Sequence, residues 1–175
     1  IEGELVIKEY PTKSASTSTI KKHLDKLKKK GQRIDMVIVD YGDLLRPSTS
    51  YREKRMELES IYEEMRAIAQ EFECPVWTAS QTNRSGLNAE VITMESISEA
   101  FNKCFVADFI FTVSRTIDDK SANTGRIFLA KNRNGPDGII YPIFMDTSCV
   151  KIKVLDATDE SVGDIMAKSS KERLE

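Results

Sequence analysis

IDMVIVDYG, residues 34–42, is an apolar run that ends in a carboxylate, and its reading decides the fold. Met36, Ile38 and the two valines leave the strand no polar face, the pattern of a strand buried on both sides in a parallel sheet. Similar runs return in CPVWTAS (74–80) and DFIFTVSR (108–115). Between the first two, Leu58, Ile61, Tyr62, Met65, Ile68 and Phe72 share one side of a helix over about 52–73. Upstream, LVIKEY (5–10) reads as a strand closed by Pro11. Ile20, Leu24 and Leu27 recur at helical spacing over 17–30, with Gly31 as the stop. Met94, Ile97, Phe101 and Cys104 mark a short third helix, and TIDDKSANTG (116–125) a polar loop. Strands alternating with helices predict right-handed crossovers and a mainly parallel sheet covered by helices.

Downstream the pattern changes. RIFLA and IIYPIF flank KNRNGPDG (131–138), whose Gly-Pro-Asp-Gly is turn chemistry, so the two runs form a hairpin. CVKIKVLD (149–156) is a last strand, and 157–175 reads as a polar tail after a core spanning 1–156. These strands are the antiparallel extension of an α/β sheet.

With 175 residues, 40% of them hydrophobic, the chain suffices for one domain with a real core. A formal net charge of −2 excludes a polycation, so nucleic-acid binding would need local patches. Lys21, Lys22, Lys26, Lys28, Lys29 and Lys30 crowd the predicted first helix, where lysine is also the ordinary solvated residue. Cys74, Cys104 and Cys149 are odd in number and lack metal-ligand spacing, which predicts a reducing, cytosolic compartment. His23 has no catalytic constellation around it, Trp77 reads as core, and Glu53, Glu57, Glu63 and Glu64 as a solvated helix face.

In parallel α/β sheets ligands bind beyond the carboxyl ends of the strands. Asp40 ends the second strand, where a carboxylate on a rigid edge suits a Mg²⁺-nucleotide site, although an Asp there is more often a cap or turn residue. Gln81 ends the third, where an amide can touch a terminal phosphate or an attacking water, or cap a loop. The loop behind it holds Asn83, Arg84, Ser85, Gly86 and Asn88, residue types that contact nucleic-acid phosphates and sugars. Lys131 and Arg133 stand two residues apart on one strand face. Such cations repel unless an anion lies opposite, and phosphate is the natural candidate. Their topological distance from Asp40 favours a phosphate held by a neighbouring subunit.

In this order the motifs resemble the RecA-type core of the ring-shaped, DnaB-like replicative DNA helicases, above all the bacteriophage members, from about residue 4 to 146. VIVDY resembles the Walker B segment, which implies a Mg²⁺ role for Asp40. ASQTNR resembles the third helicase motif, which implies that Gln81 senses the γ-phosphate. SISEAFNKCFVADFIFTVSR resembles the fourth motif, with Glu99 and Asp108 at acidic positions. KNRNGPDG resembles the Lys-x-Arg-Asn-Gly-x-x-Gly element, which implies that Lys131 and Arg133 reach the triphosphate of the adjacent subunit. The fold so implied is a RecA-like (P-loop NTPase type) three-layer sandwich. ATP and Mg²⁺ are the implied cofactors. The implied partners are single-stranded DNA gripped by the 81–92 loop, a hexameric ring, and a primase or helicase loader, in the cytoplasm of a bacterial or phage-infected cell.

One departure is large. None of the eight glycines begins a Gly-Lys-Ser or Gly-Lys-Thr, so the phosphate-binding loop is absent and the family's catalytic glutamate has no match. The chain is expected to be the C-terminal half to two-thirds of a motor, lacking the N-terminal part of the core, and unable to hydrolyse ATP by itself. Two other readings stay open: a non-catalytic DNA-binding or assembly module of the same fold, and a recombinase-type relative.

Overall fold

The computed structural model describes residues 3–82, 89–94 and 102–155. In chain order these form α1 (Thr17–Lys29), β1 (Val37–Val39), a 3₁₀ turn (Gly42–Leu44), α2 (Lys54–Phe72), β2 (Val76–Thr78), α3 (Asn102–Val106), β3 (Phe109–Ser114), α4 (Ile117–Ala122), β4 (Thr124–Asn132), β5 (Ile140–Asp146) and β6 (Lys151–Val154). They divide into two compact units, one of Ile1–Gln81 with Ser98–Ala107 and one of Thr82–Ile97 with Asp108–Glu175. The architecture is the expected α/β, with one parallel and one antiparallel sheet. Among the described residues no helix is long and apolar enough to cross a membrane. The tail at 157–175 lies outside the described residues.

In the first unit β1 and β2 run parallel, with Val37 opposite Val76, Ile38 opposite Trp77 and Val39 opposite Thr78. Alternation puts the valines on one face, where they meet Ile20 and Leu24 of α1, Ile68 and Phe72 of α2, and Cys74. The apolar stripe expected on α2 is buried at Leu58, Ile61, Met65 and Ile68. At the start of α1, the Ser16 N–H donates to Thr19 Oγ1 at 3.2 Å, a local cap.

Three expectations are corrected here. Residues 5–10 form no strand, and Leu5 and Ile7 are exposed. A strand exists only beside a hydrogen-bonded neighbour, and among the described residues this segment has none. β1 and β2 are not buried on both faces: Ile38 is 71% exposed and Trp77, read as core, 38%. Among the described residues of this unit, α1 and α2 cover the valine side. Glu64 is not simply solvated, because it accepts hydrogen bonds from Thr17 and from Ser48, the latter at 2.9 Å.

The second unit is a four-stranded antiparallel meander in the order β3-β4-β5-β6. The 108–115 run therefore pairs with the hairpin instead of extending a parallel series. Phe111 lies opposite Leu129 and Ser114 opposite Arg126, with a register shift between Ile110 and Phe111. Ile143, at the centre of β5, is fully buried. The hairpin closes as its turn residues predict. Gly138 takes φ +75°, which costs a side-chain-bearing residue dearly, and its N–H donates to Leu129 O at 2.8 Å.

The loop expected at 116–125 contains α4. Its signal was present in the sequence: Thr116 and Asp119 form a reciprocal cap, with the Thr116 N–H donating to Asp119 Oδ2 at 2.7 Å and the Asp119 N–H to Thr116 Oγ1 at 3.2 Å. The third helix is seen at Asn102–Val106, and 95–101 lie outside the described residues.

Candidate functional site

Two strand ends organise the first unit. Asp40 follows β1 directly and is exposed, and Gln81 stands three residues beyond β2. Because β1 and β2 are parallel neighbours, both leave the sheet at the same edge. Their followers meet: Gln81 Nε2 donates to the Tyr41 hydroxyl at 2.9 Å. Thr78 stitches the turn to the sheet, its hydroxyl donating to Val39 O at 2.9 Å and accepting from the Gly42 N–H at 2.8 Å. A cavity of about 210 Å³ opens there, lined by Lys13, Lys54, Tyr41 and Gln81, with Asp43, Leu44 and Leu58 completing its wall.

Beside the cavity lies a buried ionic cluster. Lys103 of α3 is only 2% exposed. Its Nζ donates to Asp43 Oδ2 at 3.0 Å and Oδ1 at 3.3 Å, and to Ser80 Oγ at 2.6 Å. The Ser80 and Tyr62 hydroxyls in turn donate to Asp43, each at 2.9 Å. The ammonium also sits over the Tyr62 ring, 5.6 Å from its centroid. Burial pushes the Tyr62 phenol far above its ordinary range, and the charge and hydrogen bond of Asp43 add to this. Tyr62 therefore stays a neutral donor. The cluster ties α2, α3, the turn after β1 and the residue preceding Gln81 into one network.

Sequence reasoning missed this cluster. Its traces were an acid three residues after Asp40, a serine just before Gln81, and a lone lysine among apolar neighbours in FNKCFV. None of these marks burial without the fold.

In the second unit, β4 outruns its pairing with β5, which ends at Phe128 opposite Ile140. Beyond that point β4 pairs with β3, so Lys131 stands opposite Ile110. Arg133 follows the strand and its N–H donates to Asp108 O at 2.9 Å, continuing the ladder. Lys131 is thus the last but one residue of β4, whereas Arg133 already belongs to the turn that follows. The Arg133 guanidinium also donates to Asp108 Oδ1 at 2.5 Å. Within this chain, then, Arg133 faces Asp108, itself one of the motif positions.

Asn83, Arg84, Ser85, Gly86, Asn88 and Glu99 lie outside the described residues. Among the described residues there is no group of three or more metal-ligating side chains. One carboxylate suffices for Mg²⁺ held through its water shell, so Asp40 fits that role. The ammonium, hydroxyl and amide donors around the cavity fit a phosphate oxygen. Asp40 itself is not among the residues that line the cavity.

The fold is that of RecA-like helicase ATPase domains. One solved ATPase domain superposes with a TM-score of 0.71 at 22% identity, covering 81% of this chain and 52% of that one. A DnaB-like replicative helicase, solved in a study of its interactions with primase, superposes at 0.66 and 22% identity, covering 76% of this chain and 34% of its own. The sequence profile of the DnaB-like helicase C terminal domain matches residues 2–151, and the chain belongs to that family. The DnaB-like replicative helicase of Enterobacteria phage T4 is 31% identical over 137 residues, 76% of this chain and 29% of that protein. The replicative DNA helicase DnaB of Geobacillus stearothermophilus is 30% identical over 141 residues, 77% of this chain and 31% of its own length. The chain thus spans about three-tenths of these relatives.

Proposed function

We propose that this chain is part of the ATP-driven motor of a ring-shaped replicative DNA helicase, which moves along single-stranded DNA and unwinds duplex. The observation that carries the reading is the meeting of two parallel strand ends, with Gln81 bonded to the tyrosine that follows Asp40. Asp40 would hold Mg²⁺ through water, and Gln81 would touch the γ-phosphate of ATP. The bound nucleotide and metal supply the phosphoryl chemistry; the residues of this chain position and sense it. Lys131 and Arg133 would serve the nucleotide of the adjacent subunit in a hexameric ring, with Asp108 holding Arg133 in place until that phosphate arrives. The loop of Asn83, Arg84, Ser85, Gly86 and Asn88 would track the DNA backbone, and Glu99 belongs to the same motif set as Asp108. A primase or helicase loader is the expected protein partner and the cytoplasm the expected compartment. By itself the chain, without a phosphate-binding loop, would not turn over ATP.

The experiment has two arms. The pure chain with Mg²⁺-ATP and single-stranded DNA is expected to give no turnover above background. Fused to the preceding motor segment of the phage T4 relative, it is expected to hydrolyse ATP, with a loss of about 10³-fold in Arg133→Ala and a comparable loss in Asp40→Asn. Steady hydrolysis by the chain alone, abolished by Asp40→Asn, would overturn the first expectation. A fused motor indifferent to both substitutions would overturn the assignment.

A further inference from the structure

We propose that the outer face of α1 is a second nucleic-acid contact, in which Lys22, Lys26, Lys29 and Lys30 bind a phosphodiester backbone independently of base sequence. The inference rests on the DNA-translocating reading above and adds a site to it.

The structure sorts the five lysines of this helix and Lys30, its C-cap. Lys21 and Lys28 turn toward α2: Lys21 Nζ lies 2.7 Å from Glu71 Oε2, and Lys28 Nζ sits 5.8 Å from the centroid of the Phe72 ring. The remaining four are exposed, and among the described residues none of them forms an ion pair. At 100° per residue, Lys22, Lys26 and Lys29 fall within about 60° of one another, with Lys30 beside them and Leu24 on the buried side. Asp25, the single acid of the helix, flanks the stripe and acts on Lys21.

Like charges three and four residues apart weaken a helix. The helix dipole favours those of the last turn, Lys26 and Lys29, but gives no reason for Lys22. The lysines step along the axis by about 6 and 4.5 Å. That is the scale of successive phosphates on a strand, about 3.4 Å apart in duplex and further in an extended single strand. A protein partner fits less well, since interface cores are depleted in lysine and this face offers no aromatic or apolar anchor. With only ammonium groups presented, nothing on the stripe reads bases.

The test is fluorescence anisotropy of the whole chain with a labelled oligo-dT strand, and with a duplex of equal length, across a salt series. Four variants are compared: Lys22→Gln/Lys26→Gln/Lys29→Gln/Lys30→Gln, the same four changed to Arg, Lys21→Gln/Lys28→Gln, and Arg84→Ala. Circular dichroism checks the fold, which exposed Lys→Gln changes should spare. The fourfold Gln variant is expected to lose at least tenfold in affinity at low salt. Its slope of log K against log salt should fall by about 2–3, at about 0.7 per single-strand phosphate contact. The Arg variant should bind like the parent and the Lys21/Lys28 variant nearly so. The oligo-dT and duplex arms decide which form of backbone the stripe prefers.

An unchanged affinity and slope in the fourfold Gln variant would overturn the site. If Arg84→Ala alone then abolished binding, the helicase reading would stand without it. Absence of salt-dependent DNA binding by the parent, or binding of poly-glutamate in its place, also overturns the site. The ATPase arms of the fused motor test the helicase reading separately.

Discussion

The Nζ of Lys103 lies 3.0 Å from Asp43 Oδ2, with the two side chains 2% and 18% exposed. A charge so deeply buried is tolerated only because its partner and the Ser80 hydroxyl satisfy it, while the Tyr62 hydroxyl supports the partner. Lys103→Met should therefore cost about 3–5 kcal/mol, most of it from the stranded Asp43 carboxylate. The double change Lys103→Met/Asp43→Asn should recover a large part of that loss. Urea unfolding of the three variants checks this, and a single-variant cost below about 1 kcal/mol would refute the coupling.

The second unit carries its own buried pair. Burial works against the Asp119 carboxylate, but hydrogen bonds from the Thr116 N–H and hydroxyl, Thr124 and Arg126 outweigh it and hold its pKa below the ordinary value. The Arg126 contact measures 2.8 Å. A pKa lower in the folded than in the unfolded chain stabilises the protein above the unfolded value. That contribution disappears as pH falls through the folded value. Asp119→Asn should thus melt below the parent at neutral pH by the equivalent of about 1–3 kcal/mol. The gap should close under acid conditions, below about pH 4. A gap unchanged from pH 7 to 3 would contradict the assignment.

Gly125 occupies a place in β4 where a side chain has no room. A Cβ there would lie 2.9 Å from Arg115 Cγ and 3.0 Å from the Ser114 carbonyl oxygen. The side chain can move, but the backbone oxygen belongs to β3 and cannot. Gly125→Ala is expected to cost about 1–3 kcal/mol in thermal unfolding. A neutral substitution would mean that β3 and β4 yield at this point.

Arg133 and Asp108 make the opposite case. Their side chains are 44% and 54% exposed, so water screens the pair. Removing either should change stability by less than about 1 kcal/mol. Arg133→Ala should nevertheless disable the fused motor. Large destabilisation by Arg133→Ala would assign the residue to the fold instead of to catalysis.

Much of this was legible in the chain because local chemistry repeats in space. The apolar stripe of α2, the hairpin around Gly138 and the parallel pair β1 and β2 each follow from periodicity or from a residue with few backbone options. The strand expected at 5–10 failed for a different reason. Alternation and length describe what a segment can do, whereas a strand also needs a neighbour to bond with. α4 was hidden because its few polar residues carry no periodicity, although Thr116 and Asp119 spelled out its cap.

The candidate site residues divide along the same line. Asp40, Gln81, Lys131, Arg133 and Asp108 could be named from sequence because motifs keep chemistry at fixed chain spacing. The sequence by itself determined the family, the α/β alternation of the central elements and which polar groups stand at strand ends. Only the tertiary structure decided that Lys103 is buried against Asp43, that Gln81 meets Tyr41, that Asp108 faces Arg133, and which lysines of α1 remain outward. Each of those outcomes depends on residues up to 60 positions apart, as from Asp43 to Lys103, and burial is a property of what surrounds a side chain, which no local pattern records.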